Sequence, residues 1–284
     1  MGTRRDVLSI LMLGAAATGL SGCADGDRPD PVAAWRDPGA GEKDPRRYAL
    51  AHAILAPNPH NMQPWLVELR GADEIVLSLD PSRLLPETDP FGRQIVIGCG
   101  AFLELLDQSA RQSGHRAEVT LWPEGEPQPT LDTRPFAHVR LMTDAAASRD
   151  ALFAHILTRR TNREVYEPRT PSVDDLNHVI NDAALAEGLS AGFAIDAAQV
   201  RGLRDIVWRG WLREFETPAK NYESVKVMRV GKSEIAKHRD GISIDFPGIE
   251  ILKALGQMTP EKLADVNSIA SKEGDKMWQA MATS

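Results

Sequence analysis

The sequence is poor in the residues that build the commonest metal and disulfide sites. Two Cys among 284 residues exclude a disulfide-rich scaffold and a four-Cys zinc site. The seven His never pair as H-E-x-x-H or H-x-H, so the usual metal-ligand spacings are missing. There is no G-x-S-x-G elbow. Gly98-Cys99-Gly100 lacks the third glycine and the preceding strand of a dinucleotide fingerprint. Basic residues are not in excess: 33 Lys and Arg face 40 Asp and Glu, for a net charge of −7. That balance argues against a broad surface for nucleic acid. No apolar run after the N-terminus reaches the roughly 18 residues of a membrane span. What remains is 42% hydrophobic with six Trp, enough for a sizeable core in one or two domains.

The N-terminus reads as an address. Thr3-Arg4-Arg5-Asp6-Val7-Leu8 opens on paired arginines, and an apolar stretch from Val7 to Leu20 ends in small residues. A positive region followed by a short apolar region marks an export signal, and the arginine pair fits the twin-arginine type. Leu20-Ser21-Gly22-Cys23 resembles a bacterial lipobox, so Cys23 is the expected lipidation site and new N-terminus. Acyl chains there would hold the protein on a membrane. Losing residues 1–22 leaves 31 basic and 39 acidic side chains, a net charge of −8. Residues 23–44 are rich in Asp, Gly and Pro and read as a flexible tether.

Ordered structure is expected from about Pro45. Tyr48, Leu50, Ala51, Ile54 and Leu55 recur at helical spacing, and Pro57 and Pro59 stop that helix. Runs from Trp65 to Arg70 and Glu74 to Asp80 read as a hairpin around Gly71-Ala72-Asp73. A helix from about Gln94 to Ser113 is closed by Gly114. Its Gly98 and Gly100 permit close approach of another backbone or a ligand. Cys99 within it reads as a buried thiol. Further strands are expected over Ala117–Trp122 and Phe136–Met142. A second unit is expected from about residue 146, opening on an amphipathic helix through Ala151, Leu152, Ile156 and Leu157. Ser172 and Asp175 suit a capping box. A short strand follows at Ala191–Ile195, then a helix over about Ala198–Glu216 carrying Trp208 and Trp211, and a helical C-terminal stretch from 259.

Two segments carry chemistry. Ala56-Pro-Asn-Pro-His-Asn-Met-Gln-Pro-Trp65 joins a helix end to a strand start, its prolines fixing a loop that displays Asn58, Asn61 and Gln63. Such a loop can read the edge of a planar heterocycle, or its amides can satisfy their own backbone. Arg159-Arg160-Thr161-Asn162-Arg163 places three guanidiniums within five residues, suited to phosphate or to a solvated face.

Together, these segments resemble the nitroreductase-like flavoproteins. Pro57-Asn-Pro-His-Asn-Met-Gln-Pro-Trp65 is similar to the S-P-S-x-x-N-x-Q-P-W loop that lies against the flavin ring in that family. The arginine run is similar to the R-R-S-x-R cluster that grips the FMN phosphate. The stretch from Asp89-Pro90-Phe91-Gly92-Arg93 to Cys99-Gly100 also resembles an exported branch of the family, in which two nitroreductase-like halves are fused. An ordinary nitroreductase is a homodimer with its flavins at the interface and has the arginine cluster before the loop; here the loop comes first.

The resemblance covers roughly residues 45–284 and implies an α+β fold, with an antiparallel-rich sheet flanked by helices. The chain would be a monomer acting as a pseudo-dimer, with halves 45–145 and 146–284. It implies FMN, with Arg159, Arg160 and Arg163 on the phosphate and Thr161 or Asn162 on the phosphate or ribityl chain. Asn58, Asn61 and Gln63 would face the ring, and Pro57, Pro59 and Pro64 would shape the loop. No catalytic side chain is required, because the flavin carries the hydride. A further helix with another basic residue usually completes the family's site. The chain ends where that helix would begin, so the second half is expected to be C-terminally truncated. The expected function is an exported FMN oxidoreductase acting on a small-molecule acceptor, nitroaromatic- or quinone-like. Free NAD(P)H is not expected outside the cytoplasm, which leaves two alternatives open: a flavin-sequestering protein, or a non-catalytic surface lipoprotein scaffold.

Overall fold

The computed structural model describes residues 29–167, 169–182 and 188–283. The signal, Cys23 and the first part of the tether lie outside them. The chain forms two compact units, one from residues up to 161 together with 222–260, the other from 162–221 and 261–284. The architecture is α+β with an antiparallel sheet and helices, as the sequence led us to expect and compatible with a nitroreductase-like fold.

In the first unit, helix α1 spans Pro45–Ala53. Asp44 caps it by accepting from the Arg46 N–H at 2.9 Å, and Pro45 sits where its missing donor costs nothing. Strands β1 (Trp65–Arg70) and β2 (Glu74–Leu79) form the expected hairpin, with Trp65 opposite Leu79 and Arg70 opposite Glu74. Helix α2 (Arg93–Gln112) follows, then β3 (His115–Leu121) and β4 (Ala137–Thr143). The sheet order is β1-β2-β4-β3, antiparallel throughout, with Ile75 and Val119 each facing Val139. Gly114 closes α2 with φ +72°, a left-handed turn that glycine adopts without a Cβ penalty. The core lies between α2 and the sheet: Ile95, Phe102 and Leu106 pack with Ile75, Leu77, Leu79, Phe136 and Val139, all fully buried. Cys99 is buried among them, as expected, and burial pushes its thiol pKa up to about 12.

The expected helix at 151–157 is instead a 3-10 turn over Ala151–His155. Beyond it side chains add to the backbone bonds of the following turn, in which the Thr158 and Arg159 N–H groups donate to the His155 carbonyl at 3.1 and 2.8 Å. Thr158 Oγ1 donates to the His155 carbonyl at 3.2 Å, and Arg160 Nη1 to that of Leu157 at 2.7 Å. The turn is still well anchored. Asp150 caps it through the Leu152 N–H at 2.8 Å, Ile156 is buried, and the Phe153 ring packs on the buried His52 of α1. The later part of this unit contains the end of α5 (Pro218–Lys226), β5 (Met228–Val230), α6 (Gly231–His238), β6 (Ile242–Ile244) and α7 (Ile249–Ala254). β5 and β6 pair in parallel.

The second unit holds α3 (Val173–Asp182), α4 (Ala197–Phe215), the start of α5, α8 (Pro260–Ala264, whose Pro260 belongs to the first unit) and α9 (Ile269–Thr283). Ser172 Oγ accepts from the Asp175 N–H at 3.1 Å and donates to its carboxylate at 2.6 Å, the predicted cap. Residues 191–195 are irregular rather than a strand. No strand occurs among the described residues of this unit to pair with them. Trp208, Trp211 and Phe215 stack along α4, and Trp211 meets Trp278 of α9. Their role here is packing. No helix among the described residues is long and apolar enough to cross a membrane.

Candidate functional site

The loop after α1 is a tightly bonded structure. Asn58 Oδ1 accepts from the Gln63 N–H at 2.8 Å, while its Nδ2 donates to the Ala56 carbonyl at 3.1 Å. Between these ends His60, Asn61 and Gln63 all have φ near +50° (48°, 52° and 50°), a conformation that side chains ordinarily avoid. Asn58 therefore works as a clamp that helps hold a strained loop. The loop rests on α2 through Gly98, where a Cβ would lie 3.1 Å from Asn58 Cβ. The close approach expected at Gly98 is thus to the loop backbone. At Gly100 nothing lies within 4 Å of the corresponding position.

A second clasp holds the outer side of the loop. Gln63 Nε2 donates to the Arg239 carbonyl at 2.9 Å and to Asn61 Oδ1 at 3.3 Å. The Gly241 N–H donates to the Asn61 carbonyl at 3.1 Å. Arg83 Nη1 donates to the Met62 carbonyl at 2.9 Å and to Asp240 at 3.0 Å, and Asp240 also accepts from Arg229 at 2.9 Å. His60 Nε2 lies 3.4 Å from Ser224 Oγ. Pro64 is fully buried, and its carbonyl accepts from the Asp80 N–H at 2.7 Å.

The arginine cluster begins beside this loop. Arg159 Nη2 donates to the carbonyl of Leu55, the residue before the loop, at 3.1 Å. Two motifs a hundred residues apart in sequence are therefore joined within the first unit. Arg159 Nε is buried and bonds to no described group. Desolvation lowers the Arg159 pKa from its ordinary value, and the neighbouring Arg160 cation adds to the effect. A partly buried cation with a spare N–H and another cation beside it has the charge and the donor that an anion would satisfy. Arg160 Nη1 is directed to the carbonyls of Leu157 and Arg159, each at 2.7 Å. Trp35 lies against both guanidiniums, with Arg159 Cζ 5.6 Å and Arg160 Cζ 4.8 Å from its ring centroid.

The other expected positions differ in kind. Asn162 closes its own turn, accepting from the Glu164 N–H at 3.0 Å and donating to the Glu164 carbonyl at 3.1 Å. Thr161 and Arg163 are exposed; Thr161 ends the first unit, and Asn162 and Arg163 open the second. Trp35, Arg83, Arg229 and Asp240 emerge only in three dimensions. A charged Arg or Asp in an irregular stretch gives no sign of its partner, and Trp35 sits in a segment whose composition reads as a tether. No group of three or more His, Cys, Asp or Glu among the described residues could hold a metal ion.

No family model matches the chain. Curated relatives do. It is 34% identical over 120 residues to an uncharacterized protein of Mycobacterium tuberculosis (strain ATCC 25618 / H37Rv), a match covering 41% of this chain and 34% of that one. It is 33% identical over 118 residues to "Putative NAD(P)H nitroreductase acg" of the same strain, again 41% of this chain and 34% of the other. It is 35% identical over 77 residues to "Probable NAD(P)H nitroreductase PigM" of Serratia sp. (strain ATCC 39006), 25% of this chain and 21% of that one. The chain thus matches about a third of the length of the first two relatives. The likeness is thus to a part of proteins that are named nitroreductases.

Proposed function

We propose that the chain is part of an exported, lipid-anchored oxidoreductase of nitroreductase type. It would bind FMN and pass hydride to a small nitroaromatic- or quinone-like acceptor. The observation that carries this reading is the junction of the two motifs: Arg159 bonds to the entrance of the 56–65 loop while its Nε stays buried and unsatisfied among the described residues. An anionic phosphate suits that donor, and the adjacent rigid loop suits a planar ring.

Flavin, when bound, supplies the hydride chemistry. Arg159 and Arg160 would neutralise the phosphate. The loop would offer the ring a surface already fixed by the Asn58 clamp and the Arg239–Gly241 clasp, so that little entropy is lost on binding. Gly98 allows the loop to sit against α2. The names of the relatives point the same way, as does the export signal, whose twin-arginine type suits a protein that folds with its cofactor before crossing the membrane. The test is a titration of the purified chain with FMN. Saturable binding of one FMN per chain supports the reading, and failure to bind overturns it.

A further inference from the structure

Two guanidiniums held side by side repel each other, and partial burial of Arg159 lessens the screening by water between them. Among the described residues no carboxylate forms an ion pair with either of them. What faces both cations is the ring of Trp35. The residue is held from its own side by a 3-10 turn, Ala33–Trp35. The Trp35 N–H donates to the Val32 carbonyl at 2.9 Å, and the Arg36 N–H to that of Ala33 at 3.0 Å. Asp30 closes the segment, accepting from the Val32 N–H at 3.0 Å and pairing with Arg36 at 2.9 Å.

We propose that Trp35 is a positioning residue for a phosphate-binding site, its ring bracing the Arg159–Arg160 pair so that their in-plane N–H groups face the anion. The proposal rests on the flavin reading above. An aromatic face attracts a guanidinium through its π-electrons without consuming the hydrogen-bond donors around its edge. The carbonyls of Leu55, Leu157 and Arg159 take one Nη group on each arginine. The buried Nε of Arg159 remains for a ligand. Trp35 therefore supports the pair instead of plugging it. The ligand chemistry this arrangement suits is a phosphate monoester, a compact dianion that rewards two adjacent cations.

FMN and riboflavin differ only in that phosphate, so their affinities separate the anion site from the ring site. Both are titrated, by quenching of flavin fluorescence, into the full chain and into the variants Trp35→Leu and Trp35→Phe. Leucine keeps apolar bulk and loses the π-face; phenylalanine keeps the π-face. Trp35→Leu is expected to weaken FMN binding about tenfold while leaving riboflavin binding within about twofold. Trp35→Phe is expected to keep most of the FMN preference. An unchanged or tighter FMN affinity in Trp35→Leu overturns the proposal, as does an equal loss for both flavins, which marks a general structural role. If Trp35→Leu does not fold, Trp35→Phe decides: a phenylalanine variant that folds but has lost the FMN preference overturns the proposal, and one that keeps it supports it. Failure of the unaltered chain to bind FMN defeats the flavin reading itself. Normal binding with an unmoved preference in Trp35→Leu defeats only the role of Trp35.

Discussion

Replacing Asn58 with Ala removes both ends of the clamp. The Gln63 N–H loses its acceptor at 2.8 Å and the Ala56 carbonyl loses its donor at 3.1 Å. A part-buried N–H left without a partner costs about 1–3 kcal/mol, and partial access to water puts this one near 2 kcal/mol or below. The three left-handed residues of the loop each carry about 1 kcal/mol of backbone strain, which the clamp helps to contain. Once it is gone, opening the loop relieves that strain, so part of the loss should appear as local opening. We expect a drop of about 2 kcal/mol in urea unfolding, or roughly 4–8 °C in Tm. Hydrogen exchange should accelerate at residues 58–63 and stay unchanged in β2 and β4. Asn58→Asp keeps the acceptor for Gln63 and should lose about half as much. Unchanged stability and unchanged exchange in Asn58→Ala would refute the clamp.

His52 is buried in the first unit, with its Nδ1 3.0 Å from the Tyr48 carbonyl; burial lowers its pKa, and that hydrogen bond offsets part of the effect. The unfolded chain therefore takes up this proton first, so stability should fall as pH drops below about 6.5 toward the lowered folded value. His52→Phe should flatten that slope in urea midpoints taken from pH 7.5 to 5.5, and an identical slope would show that other groups set it. Cys23→Ala in the exporting cell should move the protein from the membrane to the soluble fraction; retention in the membrane would count against a lipid anchor.

The hairpin, α2 and the β3–β4 pair were legible because apolar periodicity and turn residues agree there. Trp65 to Leu79 reads as strand-turn-strand around Gly71, and Gly114 ends a long amphipathic run. The loop and the arginine cluster were legible as motifs, while their junction at Leu55 was not, because it depends on packing. Phe153 packs the 151–155 turn on His52 of α1 and Ile156 is buried, and that docking delivers Arg159. The same apolar residues suggested a longer helix, since their spacing fits one. Trp35 was hidden by its Asp, Gly and Pro neighbours, and its partners lie more than 120 positions away. The short β5–β6 pair has three residues in each strand, too few for a period to show.

Arg159, at the head of the 56–65 loop, is proposed to belong to a phosphate site for FMN. Calorimetric titration of the unaltered chain and Arg159→Met with FMN and with riboflavin tests it most directly. Loss of a charge-assisted bond to phosphate should cost about 2 kcal/mol, roughly thirtyfold in Kd for FMN, with riboflavin affinity little changed. Equal affinities of the two proteins for FMN would show that Arg159 does not bind the phosphate.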